Sequence, residues 1–431
     1  MKDIGRDGLD SAFGQRSRGV GLTLAVLLAV LLVAAGAYAE RDVALRDGRL
    51  YVDGQWVFLK IGKSLIDYGN AAAVDKFIEN LDVLEKKHYN AFEFNCYWHH
   101  FDKDGDGEID VSLAPLSTLI DAVAARGLFP CLSVETYGVG GGTVPAPFWE
   151  RHPGAVAVNA QGKPVSDSEY GFGSAVPSLF SSEYLRVSRA FIRNLTSGIP
   201  HEKLLYFETT VEPQYIGNQS LDYSVHARRA FEEWRAANKA KGGPWPNGFP
   251  IPDHFIKNPV WNRFRAQALA QWVNGDAAVF RAVAGDDKWV AVDYLETGGK
   301  EMRNRNGRSF TFLQNLTCAN ILQVNWHWHL GRRAPNNTAY QTVSSVMKIT
   351  KRPWAVTEHM TFNGSDYTPE EAPAMLRNTL ARGTRFGWEF VNVGASSNAA
   401  FSLYNDDWSP KPLIAVVDDH WDEWMAEVKQ K

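Results

Sequence analysis

Apolar and polar residues follow one another along this chain in blocks that keep repeating one order. Short runs of aliphatic, β-branched and aromatic residues, several ending in a carboxylate, amide or imidazole, precede longer stretches with apolar residues three or four apart. The runs predict strands over Val57–Ser64, Asn90–Trp98, Leu128–Tyr137, Leu204–Glu212, Lys288–Thr297, Ile321–His329, Arg352–Met360 and Arg385–Gly394. The longer stretches predict helices over Ala71–Lys87, Leu113–Arg126, Ser182–Leu195, Val225–Lys239, Trp261–Val283, Phe310–Cys318, Thr338–Ile349, Pro369–Arg382 and Lys411–Val428. Eight strands with helical crossovers imply an α/β fold whose parallel sheet closes on itself, the (β/α)8 or TIM barrel. Ahead of the first strand, Val43 to Trp56 holds two Asp-Gly pairs between short alternating runs, which predicts an N-terminal β-hairpin. With no Ser- or Pro-rich linker and no internal repeat, residues 40–431 read as a single domain. The long insertions Gly138–Ser181 and Gly242–Pro259 would lie over the C-terminal face of the barrel.

The first residues follow another pattern. Arg16 and Arg18 precede an apolar run, Val20 to Ala35, that closes on Ala37, Tyr38 and Ala39. That is the layout of a secretory signal peptide over residues 1–39, cut after Ala39, and it predicts an exported chain, periplasmic or extracellular, with no membrane attachment once cleaved. Retention as an anchor is the alternative, for which the run is short.

Composition changes this picture in three ways. A net charge of −4 gives no basic field for nucleic acid. Three cysteines (Cys96, Cys131, Cys318) on strand-like segments suggest buried thiols, not a disulfide framework. The 15 tryptophans suit stacking against sugar rings, although Trp is also ordinary core filling. No cofactor-binding motif is present, and nothing in the pattern specifies an oligomer.

The candidate chemistry gathers at strand ends. In LLYFETTVEPQ (Leu204 to Gln214) an apolar run ends at Glu212 and Pro213; in RPWAVTEHM (Arg352 to Met360) a second ends at Glu358. A carboxylate is costly to bury and proline cannot continue a ladder, so both segments should finish at a polar mouth. The other strand ends offer Asn95, Trp98, Glu135, Tyr137, Glu208, Tyr294, Asn325, His327, His329 and Trp388 as substrate contacts. Two carboxylates on the fourth and seventh strands face each other across a barrel, the arrangement glycoside cleavage requires. One acid protonates the departing oxygen while the other attacks the anomeric carbon or activates water. Glu212, between Val211 and Pro213, suits the acid; Glu358, near His359 and His327, suits an ionised nucleophile. The alternative role for the same pair is structural, with Arg352 or Arg385 as partners, and Glu208 is the runner-up acid or a deeper salt-bridge group.

On these residues the chain resembles clan A of the glycoside hydrolases. VEPQ at Val211 to Gln214 is similar to the clan's Asn-Glu-Pro pattern, TEHM at Thr357 to Met360 to its nucleophile strand, and Trp388 to its strand-eight aromatic. The segment from Pro145 through PFWERHPGAVAVNAQGKP to Ser178 is similar to the family 42 β-galactosidases. The resemblance implies a retaining enzyme acting on a β-linked oligo- or polysaccharide by double displacement, with Glu212 as acid/base and Glu358 as nucleophile. It also departs from the clan: Val211 stands where Asn holds the sugar 2-hydroxyl, and residues 40–431 show no pattern of the separate downstream domains that family 42 enzymes carry. The substituted Asn keeps open a second function, a catalytically silent barrel that binds carbohydrate.

Two metal readings complete the set. Asn325, His327 and His329 alternate on one strand face, and His359 or Glu358 could add a third ligand, making a metal-dependent hydrolase a third option. Asp102, Asp104, Asp106 and Asp110 open like a calcium loop, but Leu113 stands where its bidentate Glu belongs.

Overall fold

The structure is a computed structural model that describes residues 41–137, 144–166, 175–216, 221–238, 259–295, 303–327, 337–361, 369–381, 383–391, 393, 402–405 and 407–429. Residues 1–39, read above as a signal peptide, and His329 lie outside the described residues, as do parts of both long insertions. Two compact units are present: one takes the residues up to Ala44 with Leu50–Trp56, the other Leu45–Arg49 with Val57–Lys431.

The N-terminal segment forms the predicted hairpin and extends it to three strands: β1 (Val43–Arg46), β2 (Arg49–Val52) and β3 (Gln55–Val57), paired in that order. The reason is that each Asp-Gly pair makes a turn of its own. Asp47 and Gly48, then Asp53 and Gly54, all adopt positive φ, the condition for the tight turns that join antiparallel strands.

The second unit is a closed eight-stranded parallel barrel in the order β4 (Leu59–Ser64), β5 (Ala91–Tyr97), β6 (Phe129–Glu135), β7 (Tyr206–Glu208), β8 (Trp289–Leu295), β9 (Ile321–His327), β10 (Ala355–Thr361) and β11 (Gly387–Val391), which closes the barrel between β10 and β4. All eight predicted strands are present, most trimmed at one or both ends. Around them run α1 (Ala71–Glu79), α2 (Leu81–Lys86), α3 (Trp98–Phe101), α4 (Ala114–Ala125), α5 (Ala146–Arg151), α6 (Ser182–Ser197), α7 (Val225–Asn238), α8 (Pro259–Ala284), α9 (Phe310–Asn315), α10 (Asn337–Thr350), α11 (Ala372–Ala381) and α12 (Pro412–Lys429). Helix starts follow local chemistry. The Asn70 side chain accepts from Ala72 N at 3.0 Å before α1, and Ser181 Oγ accepts from Tyr184 N at 3.3 Å before α6.

Strand alternation sorts residues into two populations. Facing the helices, Phe92 and Phe94 meet Phe77 of α1 edge-on, Phe207 stacks on Phe280 of α8 at 4.1 Å, and Trp388 packs among Phe58, Trp421 and Trp424. Facing inward, Lys63, Glu93, Tyr206, Glu208, Gln323 and Glu389 bond to one another across the barrel. The three cysteines are buried free thiols, as their placement on strand-like segments suggested.

Candidate active site

The fourth barrel strand is much shorter than the pattern predicted. β7 ends at Glu208, and the chain leaves the ladder four residues before Glu212. The cause is Glu135, the last residue of β6. Its carboxylate accepts from Val211 N at 3.0 Å, Thr210 Oγ1 at 3.1 Å and Tyr137 N at 2.9 Å, so the Val211 N–H and the Thr210 hydroxyl bond to a side chain instead of a neighbouring strand. Glu212 follows in the left-handed region at φ +48° with 6% of its surface exposed. That conformation costs a non-glycine residue about 1–3 kcal/mol and tends to occur at functional sites. Gln214 Nε2 donates to Glu212 Oε2 at 3.3 Å, and Asn306 Nδ2 donates to Gln214 Oε1 at 3.1 Å.

Below Glu212 the barrel interior holds a charged cluster that sequence reasoning saw only in part. Lys63 Nζ lies 2.6 Å from Glu93 Oε1, 2.7 Å from Glu208 Oε2 and 3.7 Å from Glu389 Oε1, all of them buried. Glu93 Oε2 also accepts from Tyr206 Oη and Gln323 Nε2, each at 2.7 Å, and Gln323 Nε2 bonds to Glu389 as well. Burial opposes the Lys63 charge, yet the attraction of Glu208, Glu93 and Glu389 holds its pKa well above the usual lysine value. Burial likewise opposes ionisation of Glu93, but the Lys63 charge and its hydrogen bonds bring it below 4.5. One lysine cannot neutralise every acid in range. Burial, then the charge of Glu93, pushes Glu208 and Glu389 well up. Asp293 on β8 is also pushed well up, by burial first and by the Glu212 charge next, with Lys63 and Arg308 acting the other way.

Several predicted contacts prove to have other partners. Glu208 takes the deeper salt-bridge position and Glu135 holds the loop before Glu212. Trp98 is buried among Phe148, Tyr184 and Phe191 with its indole N–H 2.7 Å from Asp102 Oδ2. Tyr137 packs on Trp272 at 4.9 Å, and Tyr294 lies parallel to Phe312 with its hydroxyl on the Arg308 carbonyl. Trp388 donates to Thr379 Oγ1 at 2.7 Å on the helix-facing side. These rings serve the contact between barrel and helices. Of the substrate candidates with described side chains, Asn95 remains inward, two residues above Glu93 and almost fully buried.

Glu358 lies on β10, and its side chain, like those of Asn325, His327 and His359, is outside what the structure describes. Its backbone position is informative. The ladder pairs Glu358 with Val324 and Trp388, while Thr357 pairs with Gln323 and His359 with Asn325 and Glu389. Paired positions share a face, so the positions level with the charged cluster are those of Thr357 and His359. Of the arginines considered as structural partners, Arg352 donates to the carbonyls of Leu316 and Ala319 and Arg385 to those of Leu380 and Thr384.

Asp102, Asp104 and Asp106 bring carboxylate oxygens within 4.8 Å of one another. Both Asp102 oxygens already accept hydrogen bonds, from Gly105 N and Gly107 N among others, and Asp110 accepts from Lys103 N at 2.6 Å and Asp104 N at 3.2 Å. The loop therefore satisfies its own carboxylates, as an Asp-Gly turn does. A cavity of about 600 Å³ opens in the helical layer among α6, α7 and α8, floored by Phe180, Phe264 and Trp272 and not by the residues around Glu212.

The residues missed outright were Lys63, Gln323 and Asn306. For Lys63 a signal existed: a lysine near the end of the apolar run Phe58 to Ser64 must find carboxylates if the strand is buried. Asn306 had none, because its partner Gln214 comes from a different loop.

Solved structures resemble this architecture. The β-galactosidase of the psychrophilic Marinomonas ef1 matches with a TM-score of 0.64 at 13% identity, over 86% of this chain and 60% of that one. A catalytic variant of a family 42 β-galactosidase from G. stearothermophilus matches at 0.63 and 13%, over 86% and 57%. The catalytic domain of a Paenibacillus polymyxa β-amylase matches at 0.59 and 14%, over 84% and 97%. The chain thus spans about three fifths of the length of these β-galactosidases. No family model matches the chain, and no curated protein is similar to it in sequence.

Proposed function

We propose that the chain is an exported glycoside hydrolase that cleaves β-glycosidic bonds of an oligo- or polysaccharide by double displacement, with Glu212 as acid/base and Glu358 as nucleophile. The observation that carries the reading is Glu212 itself: a strained, nearly buried carboxyl directly above the fourth strand of a fold that glycoside hydrolases use. Burial, and next the charge of Glu212, push the Asp293 carboxyl up, so a second carboxyl that holds its proton stands within electrostatic range of the candidate acid. Attack by Glu358 on the anomeric carbon would form a glycosyl ester. Glu212, now ionised, would then draw a proton from water to hydrolyse it. Because the ladder pairs Glu358 with Val324 and Trp388, this role requires the backbone to break alternation at that residue. The β-galactosidases among the structural relatives make β-galactosides the first substrates to try. Export rests on residues 1–39 alone.

The pairing of Glu358 also favours a second reading, a barrel that binds carbohydrate without cleaving it, as does Val211 in the place of the clan's Asn. One experiment separates the two: 4-nitrophenyl β-galactoside, glucoside, mannoside, xyloside and fucoside are offered to the wild type, Glu358→Gln and Glu358→Ala. The hydrolase reading expects turnover that Glu358→Gln lowers at least about a thousandfold and that azide restores to Glu358→Ala. Undiminished turnover in Glu358→Gln ends the nucleophile assignment. Glycan binding with no sugar released by the wild type supports the silent barrel.

A further inference from the structure

The loop that follows β8 reaches back to the loop that follows β7. Asn304, Arg305, Asn306, Gly307 and Arg308 form a tight turn, with Gly307 N bonded to Asn304 O and Gly307 at φ +78°. A Cβ on Gly307 would meet the ring of Tyr215 at 2.7 Å, so the turn sits directly against the residue three after Glu212. The two backbones are joined where Tyr215 N donates to Asn306 O at 3.0 Å. Arg265 of α8 clamps both loops: Nη1 donates to Asn304 O at 2.9 Å, Nη2 to Arg305 O at 2.6 Å and Nε to Leu221 O, while its guanidinium lies 4.4 Å from the Tyr215 ring centre. A fully buried arginine spent on three carbonyls fixes backbone, not charge.

From this fixed turn the Asn306 side chain reaches towards the candidate acid. Asn306 Nδ2 donates to Gln214 Oε1, and Gln214 Nε2 donates to Glu212 Oε2. An amide offers a donor at one end and an acceptor at the other, so a donor from Asn306 commits Gln214 to present its N–H to the carboxylate. We propose that Asn306 is a positioning residue that, through Gln214, orients the Glu212 carboxyl and sets how readily it holds its proton. This deepens the reading of Glu212 as acid/base and rests on it. The charged groups around the relay include Asp293 and Glu212 itself, Arg305 next to Asn306 in the turn and Arg265 clamped against it, with Arg308 and Lys63 acting on Asp293 and Glu135 bound to the neighbouring Val211 N.

Asn306→Asp reverses the commitment. An acceptor at position 306 turns the Gln214 amide over, so that its oxygen faces Glu212. That oxygen can bond only to a protonated carboxyl, and the added negative charge acts in the same direction. The side-chain carboxyl carbon of Glu212 is followed by 13C NMR across a pH titration in full-length wild type and Asn306→Asp, with Glu212→Gln providing the assignment. Thermal melts confirm that each variant is folded, and Asn306→Ser replaces a variant that is not. The expected result is a titration midpoint raised by at least about one pH unit in Asn306→Asp and moved much less in Asn306→Ser. The alkaline limb of kcat/KM on the best aryl β-glycoside should rise with it. A Glu212 midpoint unmoved in Asn306→Asp overturns the relay. Full turnover in Glu212→Gln instead overturns the acid/base reading while leaving the titration result intact, so the two failures are distinguishable.

Discussion

The fourth and seventh barrel strands have one design in sequence and two in the structure. LLYFETTVEPQ and RPWAVTEHM are both apolar runs that end in a glutamate. In the first, pairing stops at Glu208, the Glu135 carboxylate captures Thr210 and Val211, and Glu212 stands clear of the ladder in the left-handed region. In the second, parallel pairing continues through Glu358 to Met360 and beyond on one side. A residue still held by a ladder must point where alternation sends it; a residue released from it can be aimed by neighbouring side chains. The contrast shows that the end of a hydrophobic run is not the end of a strand, and that leaving the ladder is what lets neighbouring side chains aim a carboxylate.

The largest test of that contrast is on turnover. In Glu212→Gln, hydrolysis of a glycoside with a poorly departing alcohol should fall about 10²–10⁴-fold, while a 4-nitrophenyl glycoside, which needs little protonation, should lose much less in its first step. Glu358→Gln should lower both alike; equal losses for the two leaving groups in Glu212→Gln would show that Glu212 is not the acid. Next is Glu135→Gln, which replaces an all-acceptor group by one that can satisfy only some of the three donors. It should cost about 1–3 kcal/mol in urea unfolding and reduce kcat about tenfold as Glu212 drifts. A stability loss with unchanged kcat would mean that Glu135 braces the fold without aiming Glu212.

A smaller effect should appear in stability against pH. Glu208 and Glu389 have folded pKa values above the ordinary 4.5, so the native state binds more protons than the unfolded chain. Their contribution is complete below about pH 4.5 and is lost as pH rises through the raised values, with a slope of up to about 1.4 kcal/mol per pH unit per proton. Glu93, whose pKa is lowered, works in the opposite sense and loses its contribution as pH falls below 4.5. Urea midpoints should therefore decline from pH 5 towards pH 8, and less steeply in Glu389→Gln; a flat profile in the wild type would contradict the charge count of the cluster. Smallest is Trp388→Phe. Losing the Thr379 hydrogen bond and part of the packing on Trp421 and Trp424 should cost about 1–2 kcal/mol with KM unchanged. A KM raised tenfold would restore the sugar-platform role to Trp388.

Element type was legible almost throughout because it depends on neighbours three, four or two residues away. Each predicted strand and helix with described residues exists, and the misjudged boundaries, such as the end of β7, are set by side chains from other strands. The tryptophans show where such legibility stops. Trp98 and Trp388 were read as sugar contacts because they lie at or near strand ends, yet their rings fill the space between barrel and helices. Which face a residue occupies depends on register, and register on partners that a local pattern does not name.

By itself, the sequence determined the fold class, the order of strands and crossovers, the thiol state of the cysteines and the presence of acidic groups along the barrel strands. Those properties follow from periodicity and from the cost of burying polar atoms, both short-range. Only the tertiary structure decided that one lysine would gather Glu93, Glu208 and Glu389, that Glu135 would release Glu212 from its strand, and that Asn306 would reach Gln214. Each of these joins residues tens to hundreds of positions apart, and electrostatics and hydrogen bonding act over a few ångströms of space regardless of the length of chain between them.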